Sequence, residues 1–147
     1  MMKEYVCCFI EHEGSVLLIE KIKPEWQRGL LNLPGGSIEE GETPEMAAAR
    51  ELYEEAGILS FHVFPIGVIQ GQKFRVHVIG HVSQHPEMWN QKTNEPVFWL
   101  PTRDAVDHPK LIPNLRIIIP LASKGVHGWT LTDPDSVPGD YFKLWLL

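Results

Sequence analysis

The residues best placed to do chemistry are glycines and glutamates at fixed spacing. Gly35 and Gly36 are followed by Glu42, and then by the run Arg50-Glu51-Leu52-Tyr53-Glu54-Glu55-Ala56-Gly57-Ile58. Wound as an α-helix at about 100° per residue, Glu51, Glu54 and Glu55 fall within about a third of the circumference. Like charges three and four apart destabilise a helix by a few tenths of a kcal/mol per pair. Glu54 and Glu55 also sit in the last turn, where the helix dipole disfavours anions. A helix selected for stability alone would carry Lys or Arg there, and local rules broken in this way point to function. The plain alternative is a solvated acidic face, partly offset by Arg50 pairing with Glu54 four residues on. What gathers carboxylates for a purpose is a hard divalent cation. Mg²⁺, with Mn²⁺ as a substitute, takes one or two carboxylates and completes its shell with waters and substrate phosphates. Such an ion polarises a phosphoryl oxygen and helps generate hydroxide. It would also let a chain of net charge −6 hold a polyphosphate.

These side chains need a helix held at both ends. Thr43 is a good N-cap, Pro44 sits at the first helical position, and Gly57 stands where a left-handed terminal residue is wanted. Ala48, Ala49, Leu52 and Ala56 make an apolar face suited to packing on a sheet. Upstream, residues 6–10 and 16–19 read as strands that pair as a hairpin across His12-Glu13-Gly14. Residues 21–29 form a loop carrying Lys21, Lys23, Trp26 and Arg28, and Pro34-Gly35-Gly36 breaks the pattern after Leu31 and Leu33. Downstream, residues 61–69 and 74–82 read as strands joined across Gly71-Gln72, and residues 96–100 as another. Asn114 caps a helix through Ala122 that Pro120 kinks or ends. Residues 133–139 are a Pro/Asp-rich loop and residues 141–147 an apolar closing strand. Strands on both sides of a central helix imply an α/β or α+β sandwich, a mixed β-sheet with helices packed on it.

Written as a pattern, residues 36–58 read G-x5-E-x7-R-E-U-x-E-E-x-G-U, where U is a bulky aliphatic, and every fixed position is matched. The segment resembles the signature box of the Nudix hydrolases. The resemblance implies one Nudix domain over residues 1–147, built as an α/β/α sandwich. It implies Mg²⁺-dependent cleavage of a nucleoside diphosphate-linked substrate, with Arg50, Glu51, Glu54 and Glu55 as the catalytic set. Glu51, Glu54 and Glu55 would ligate metal together with the backbone carbonyl of Gly35, and Glu42 would add a ligand through water. Glu51 is one candidate for general base; in other branches the base comes from a later loop. Arg50 would orient the glutamates and the loop.

Beyond the box, Glu95 lies where several branches carry an acidic ligand or base, and Glu87 is a weaker candidate. Asn32 lies where the antimutator branch reads an oxidised purine, Trp99 could stack on a base, and Arg28 could meet phosphates. Each has a plainer reading: an exposed glutamate, a turn asparagine, a core tryptophan and a solvated cation. The favoured reaction converts a nucleoside triphosphate, with oxidised purines in view, to monophosphate and pyrophosphate. ADP-ribose or another nucleotide sugar is the alternative substrate. The marker residues of the ADP-ribose and dinucleoside-polyphosphate branches are missing at Lys73, Phe74 and Arg75. A non-catalytic nucleotide-binding module is a third reading, disfavoured because such modules usually lose box glutamates.

The composition bounds the rest. The chain has 147 residues, 44% hydrophobic and 22% charged, which fits one globular domain and excludes a disordered tail or a coiled-coil rod. The acidic balance weighs against polymeric nucleic acid and RNA-end processing, leaving a small nucleotide as the expected partner; a homodimer is compatible with it. No apolar run spans a bilayer and no signal pattern opens the chain, so no membrane is expected. Adjacent Cys7 and Cys8 read as reduced thiols, which suits a cytoplasmic protein. His77, His81 and His85 share a strand face at a spacing too wide for a tight metal site.

Overall fold

The computed structural model describes residues 2–60, 62–83 and 93–133. In chain order the strands are β1 (Lys3–Phe9), β2 (Glu11–His12), β3 (Ser15–Glu20), β4 (Leu31–Asn32), β5 (Gly35–Ser37), β6 (His62–Gly71), β7 (Phe74–Val82), β8 (Val97–Pro101) and β9 (Trp129–Asp133). The helices are α1 (Pro44–Ala56), α2 (Thr102–Val106) and α3 (Leu115–Ser123), with a 3-10 turn at Glu25–Gln27. Period-2 alternation explains the layering. Val6, Cys8 and Ile10 point to one core, while Cys7 and Phe9 point to the other; likewise Leu17 and Ile19 oppose Val16 and Leu18. Both faces are therefore buried, as the continuous apolar runs require. The first core is closed by Ala47, Ala48, Leu52 and Ala56 of α1, and the second by Ala105 of α2 with Leu115, Ile118 and Ile119 of α3. This is the α/β/α sandwich, with a mixed sheet.

The strands fall into two sheets. One has the order β5-β1-β7-β6-β9, with β1 parallel to β7 and β9 parallel to β6; in the other, β3 pairs with β2, β4 and β8. The expected hairpin between residues 6–10 and 16–19 is thereby corrected. β7 claims β1 along its whole length, from Lys3 opposite Phe74 to Phe9 opposite Gly80. Only β2 folds back on β3, around Glu13 and Gly14 at positive φ. The strands at 61–69, 74–82 and 96–100 form close to the expected bounds.

Other local expectations are revised. Pro34-Gly35-Gly36 is more than a pattern break, because Gly35 and Gly36 are strand residues paired with Cys7 and Val6. A Cβ at Gly35 would lie 2.0 Å from the Val6 carbonyl oxygen, so only glycine permits the approach. Ala49 is half-buried, and Ala47 takes its expected place in the core. Asn114 does not cap α3: its backbone is already helical, and its buried Oδ1 has no hydrogen bond among the described residues. Pro120 does not end α3 either, since the helix continues to Ser123. Cys7 and Cys8 are free, and burial pushes Cys7 up to about 12 and Cys8 well above the usual thiol range, so both are inert. His85, Glu87, residues 134–139 and residues 141–147 lie outside the described residues. Among the described residues no helix is long and apolar enough to cross a membrane.

His77 bonds Glu4 Oε1 at 3.0 Å, whereas His81 is buried with Nδ1 2.6 Å from Ser60 Oγ. Burial lowers His81 from 6.5 to about 4. Protonation therefore favours the unfolded chain. The stability held above pH 6.5 should drain away as pH falls toward 4, by on the order of 3 kcal/mol. Urea unfolding of wild type and His81→Gln from pH 8 to 4 checks this. The difference between the two curves should change across that window, and parallel curves would refute the assignment.

Candidate active site

The site is built from α1 and from the turn and strand before it. Thr43 Oγ1 accepts the Met46 N–H at 3.1 Å, and the Gly57 N–H, at φ 69°, donates to the Tyr53 carbonyl at 2.8 Å. These caps fix where the helix starts and stops, and so which way its glutamates face. Glu51 lies over Gly36, where an added Cβ would sit 2.4 Å from Glu51 Oε1. Glu55 belongs to the sheet-facing side and is only 8% exposed.

Arg50 ties the acidic residues together. Its Nε and Nη2 donate to Glu42 Oε2 and Oε1 at 2.8 and 2.9 Å, a two-point grip. Nη1 donates to Glu51 Oε1 at 2.9 Å and Glu54 Oε2 at 3.4 Å, and lies 3.8 Å from Glu39 Oε1. Nη2 also donates to the Ser37 carbonyl at 3.1 Å. The guanidinium, helped by the Glu39 N–H, holds the Glu42 carboxyl down to about 2. Both Glu42 oxygens are therefore occupied, and Glu42 acts as a strut between loop and helix.

Glu55 is held differently. Its Oε1 accepts the Gly35 N–H at 2.7 Å, and burial outweighs that bond, raising the carboxyl to about 7. Burial also raises Glu51, against the pull of Arg50. Among the described residues no three acidic, histidine or cysteine side chains are grouped closely enough to hold a metal ion as they stand, and Arg50 is bonded to Glu51 and Glu54. The donor set nevertheless fits a hard cation. It is all oxygen, and it contains a buried carboxyl near neutrality whose proton a dication would displace.

Beside this cluster opens a cavity of about 360 Å³, lined in part by Lys21, Trp26, Gln27, Asn32, Gly35 and Gly36. Gly35 and Gly36 are shared: they touch Glu55 and Glu51, and they also line the cavity. Asn32 is thus brought to the site. Arg28 and Trp99 do not line the cavity. Arg28 is exposed and pairs with Glu25 at 3.1 Å, and Trp99 packs against the α1-side core with its ring 6.2 Å from His12. Glu95 does not line the cavity but holds Lys21, which does. It accepts from Lys21 Nζ at 3.1 Å and from the N–H groups of Ile22 and Lys23 at 2.6 and 3.1 Å. Burial alone would raise Glu95, but these donors hold it below the usual carboxylate range. Gln27 was not singled out in the sequence; a polar residue in a charged loop carries no period that marks it as inward-facing.

Comparison with known proteins agrees with this fold. A NUDIX domain family model matches residues 1–122. The CTP pyrophosphohydrolase of Escherichia coli is 40% identical over 57 residues, covering 39% of this chain and 42% of that protein. The ADP-ribose pyrophosphatase of Bacillus subtilis is 35% identical over 48 residues, covering 33% of this chain and 26% of that protein. The chain spans less than two-thirds of the length of these curated relatives. The crystal structure of the MutT protein from Bacillus halodurans superposes with a TM-score of 0.75 at 19% identity, over 91% of this chain and 92% of that one, a likeness of fold. With the complete box braced by Arg50 and the family model covering most of its length, the chain belongs to the Nudix family.

Proposed function

We propose that this protein is a Mg²⁺-dependent pyrophosphohydrolase of nucleoside diphosphate-linked substrates, with Mn²⁺ as a substitute ion. Within that class we propose a nucleoside triphosphate, converted to monophosphate and pyrophosphate; oxidised purine forms belong to the same reading. The observation that carries it is the shared pair of glycines: Glu51 lies on Gly36 and Glu55 on Gly35, and both glycines also line a cavity. Glu51, Glu54, Glu55 and the Gly35 carbonyl would hold the cation, which when bound supplies charge stabilisation at the phosphoryl oxygens and a more acidic water.

The chain's own groups do the rest. Arg50 holds Glu51 and Glu54 in place while gripping Glu42. Glu51 Oε2, which Arg50 does not engage, accepts the proton of the attacking water. The water oxygen bonds to phosphorus, the bridging P–O bond breaks, and pyrophosphate leaves. Lys21, Asn32 and Trp26 face the nucleotide in the cavity. ADP-ribose is the second reading, favoured by the 35% identity to the Bacillus subtilis enzyme.

A nucleotide panel with Mg²⁺, resolved by chromatography in ¹⁸O water, tests the reaction and places the attacked phosphorus. Absence of product from every nucleotide would refute it. Glu54→Gln and Glu55→Gln should each lower turnover by on the order of 100-fold or more, with melting temperatures close to wild type. Near-normal rates in both would defeat the metal assignment. Arg50→Lys loses the two-point grip on Glu42. It should lower turnover by about 10–100-fold and raise the Mg²⁺ concentration needed for half-maximal rate; an unchanged Mg²⁺ requirement would show that Arg50 does not position the glutamates.

A further inference from the structure

The cavity wall carries a hydrogen-bond relay whose direction is set by the backbone. The Leu33 N–H can only donate, and it donates to Asn32 Oδ1 at 2.8 Å. Asn32 must therefore turn Nδ2 the other way, where it donates to Gln27 Oε1 at 3.0 Å. Gln27 in turn is left with Nε2, a pair of donors, which makes no hydrogen bond among the described residues. Asn32 and Gln27 are 9% and 8% exposed, and both line the cavity. Lys21, another donor, lines the same wall and is held there by Glu95.

We propose that Gln27 is a specificity-determining residue that presents a fixed donor to the nucleotide base. It selects a base with a ring carbonyl at that edge, a 6-keto purine or 4-keto pyrimidine, over the matching amino base. The chemistry is one of polarity. A carbonyl oxygen accepts from Nε2, whereas the exocyclic amine of adenine or cytosine is itself a donor and would meet Nε2 donor to donor. Gln27 cannot rotate its amide to adapt, because Oε1 would be lost to Asn32 and Asn32 is locked by Leu33. Two buried donors would then be left without acceptors. The inference rests on the nucleotide reading above and adds to it which bases the cavity takes.

The test is calorimetric binding, with Mg²⁺, of α,β-imido analogues in two pairs that differ as keto against amino: inosine and adenosine triphosphate, and uridine and cytidine triphosphate. In wild type the keto member of at least one pair should bind about 10-fold or more tightly than its amino partner. Gln27→Glu replaces the donor by a carboxylate oxygen and should erase or reverse that ratio. Asn32→Asp presents an acceptor to Gln27, flips its amide, and should move the ratio the same way with Gln27 itself unchanged. Equal binding within both pairs in wild type, a preference for the amino members, or an unaltered ratio in the two folded variants would overturn the proposal. Keto preference in a wild-type protein that cleaves none of the parent nucleotides would uphold it while refuting the hydrolytic reading.

Discussion

Carboxylates crowded onto one helix and the turn before it repel one another, and Arg50 is the cation that lets them fold together. One guanidinium meets Glu39, Glu42, Glu51 and Glu54 within 4 Å. The grip on Glu42 is the anchored end, with both carboxylate oxygens engaged and the group ionised down to about pH 2. The bonds to Glu51 and Glu54 are single and, at Glu54, longer. This asymmetry suits a brace that keeps hold of the loop while yielding the helical carboxylates to a stronger competitor. A dication carries twice the charge and prefers the same oxygens.

The frame around Arg50 explains why the cluster sits where a ligand can reach it. β5 approaches β1 so closely that Gly35 admits no side chain, and Gly36 leaves the room that Glu51 fills. The same two glycines line the cavity, so the cluster and the cavity are neighbours along β5. Glu95 gathers Lys21, Ile22 and Lys23, so the segment leading to Trp26 and Gln27 is tied to the second sheet. A buried carboxylate that bonds two backbone N–H groups and an ammonium is costly to remove. Glu95 therefore serves this chain as a clamp on the cavity wall.

Much of this could be read in advance, for physical reasons that differ by residue. The helix was legible because Thr43, Pro44 and Gly57 are local signals, each satisfied within a few residues of chain. The Nudix fold and the glutamate cluster were legible because the box spacing is itself a three-dimensional constraint. The pairing of β1 was not, because β7 is a distant competitor that no local pattern reveals. Asn114 resembled a cap by type, but the turn at Pro113 had already placed its backbone in the helix. Arg28 and Trp99 had the right chemistry, but exposure with pairing to Glu25 and packing in the α1-side core keep them off the cavity lining; Gln27 was passed over because inward direction in a loop follows from tertiary contacts alone.

The central claim is that the glutamates braced by Arg50 are a cation site facing a bound pyrophosphate. A crystal structure with Mn²⁺ and a non-cleavable nucleotide, phased to locate manganese by its anomalous signal, addresses it most directly. The account predicts a manganese peak among the oxygens of Glu51, Glu54 and Glu55, the phosphates against Gly35 and Gly36, and Arg50 still seated on Glu42. Manganese elsewhere, with Glu51 and Glu54 still closed on Arg50 beside a bound nucleotide, would contradict it.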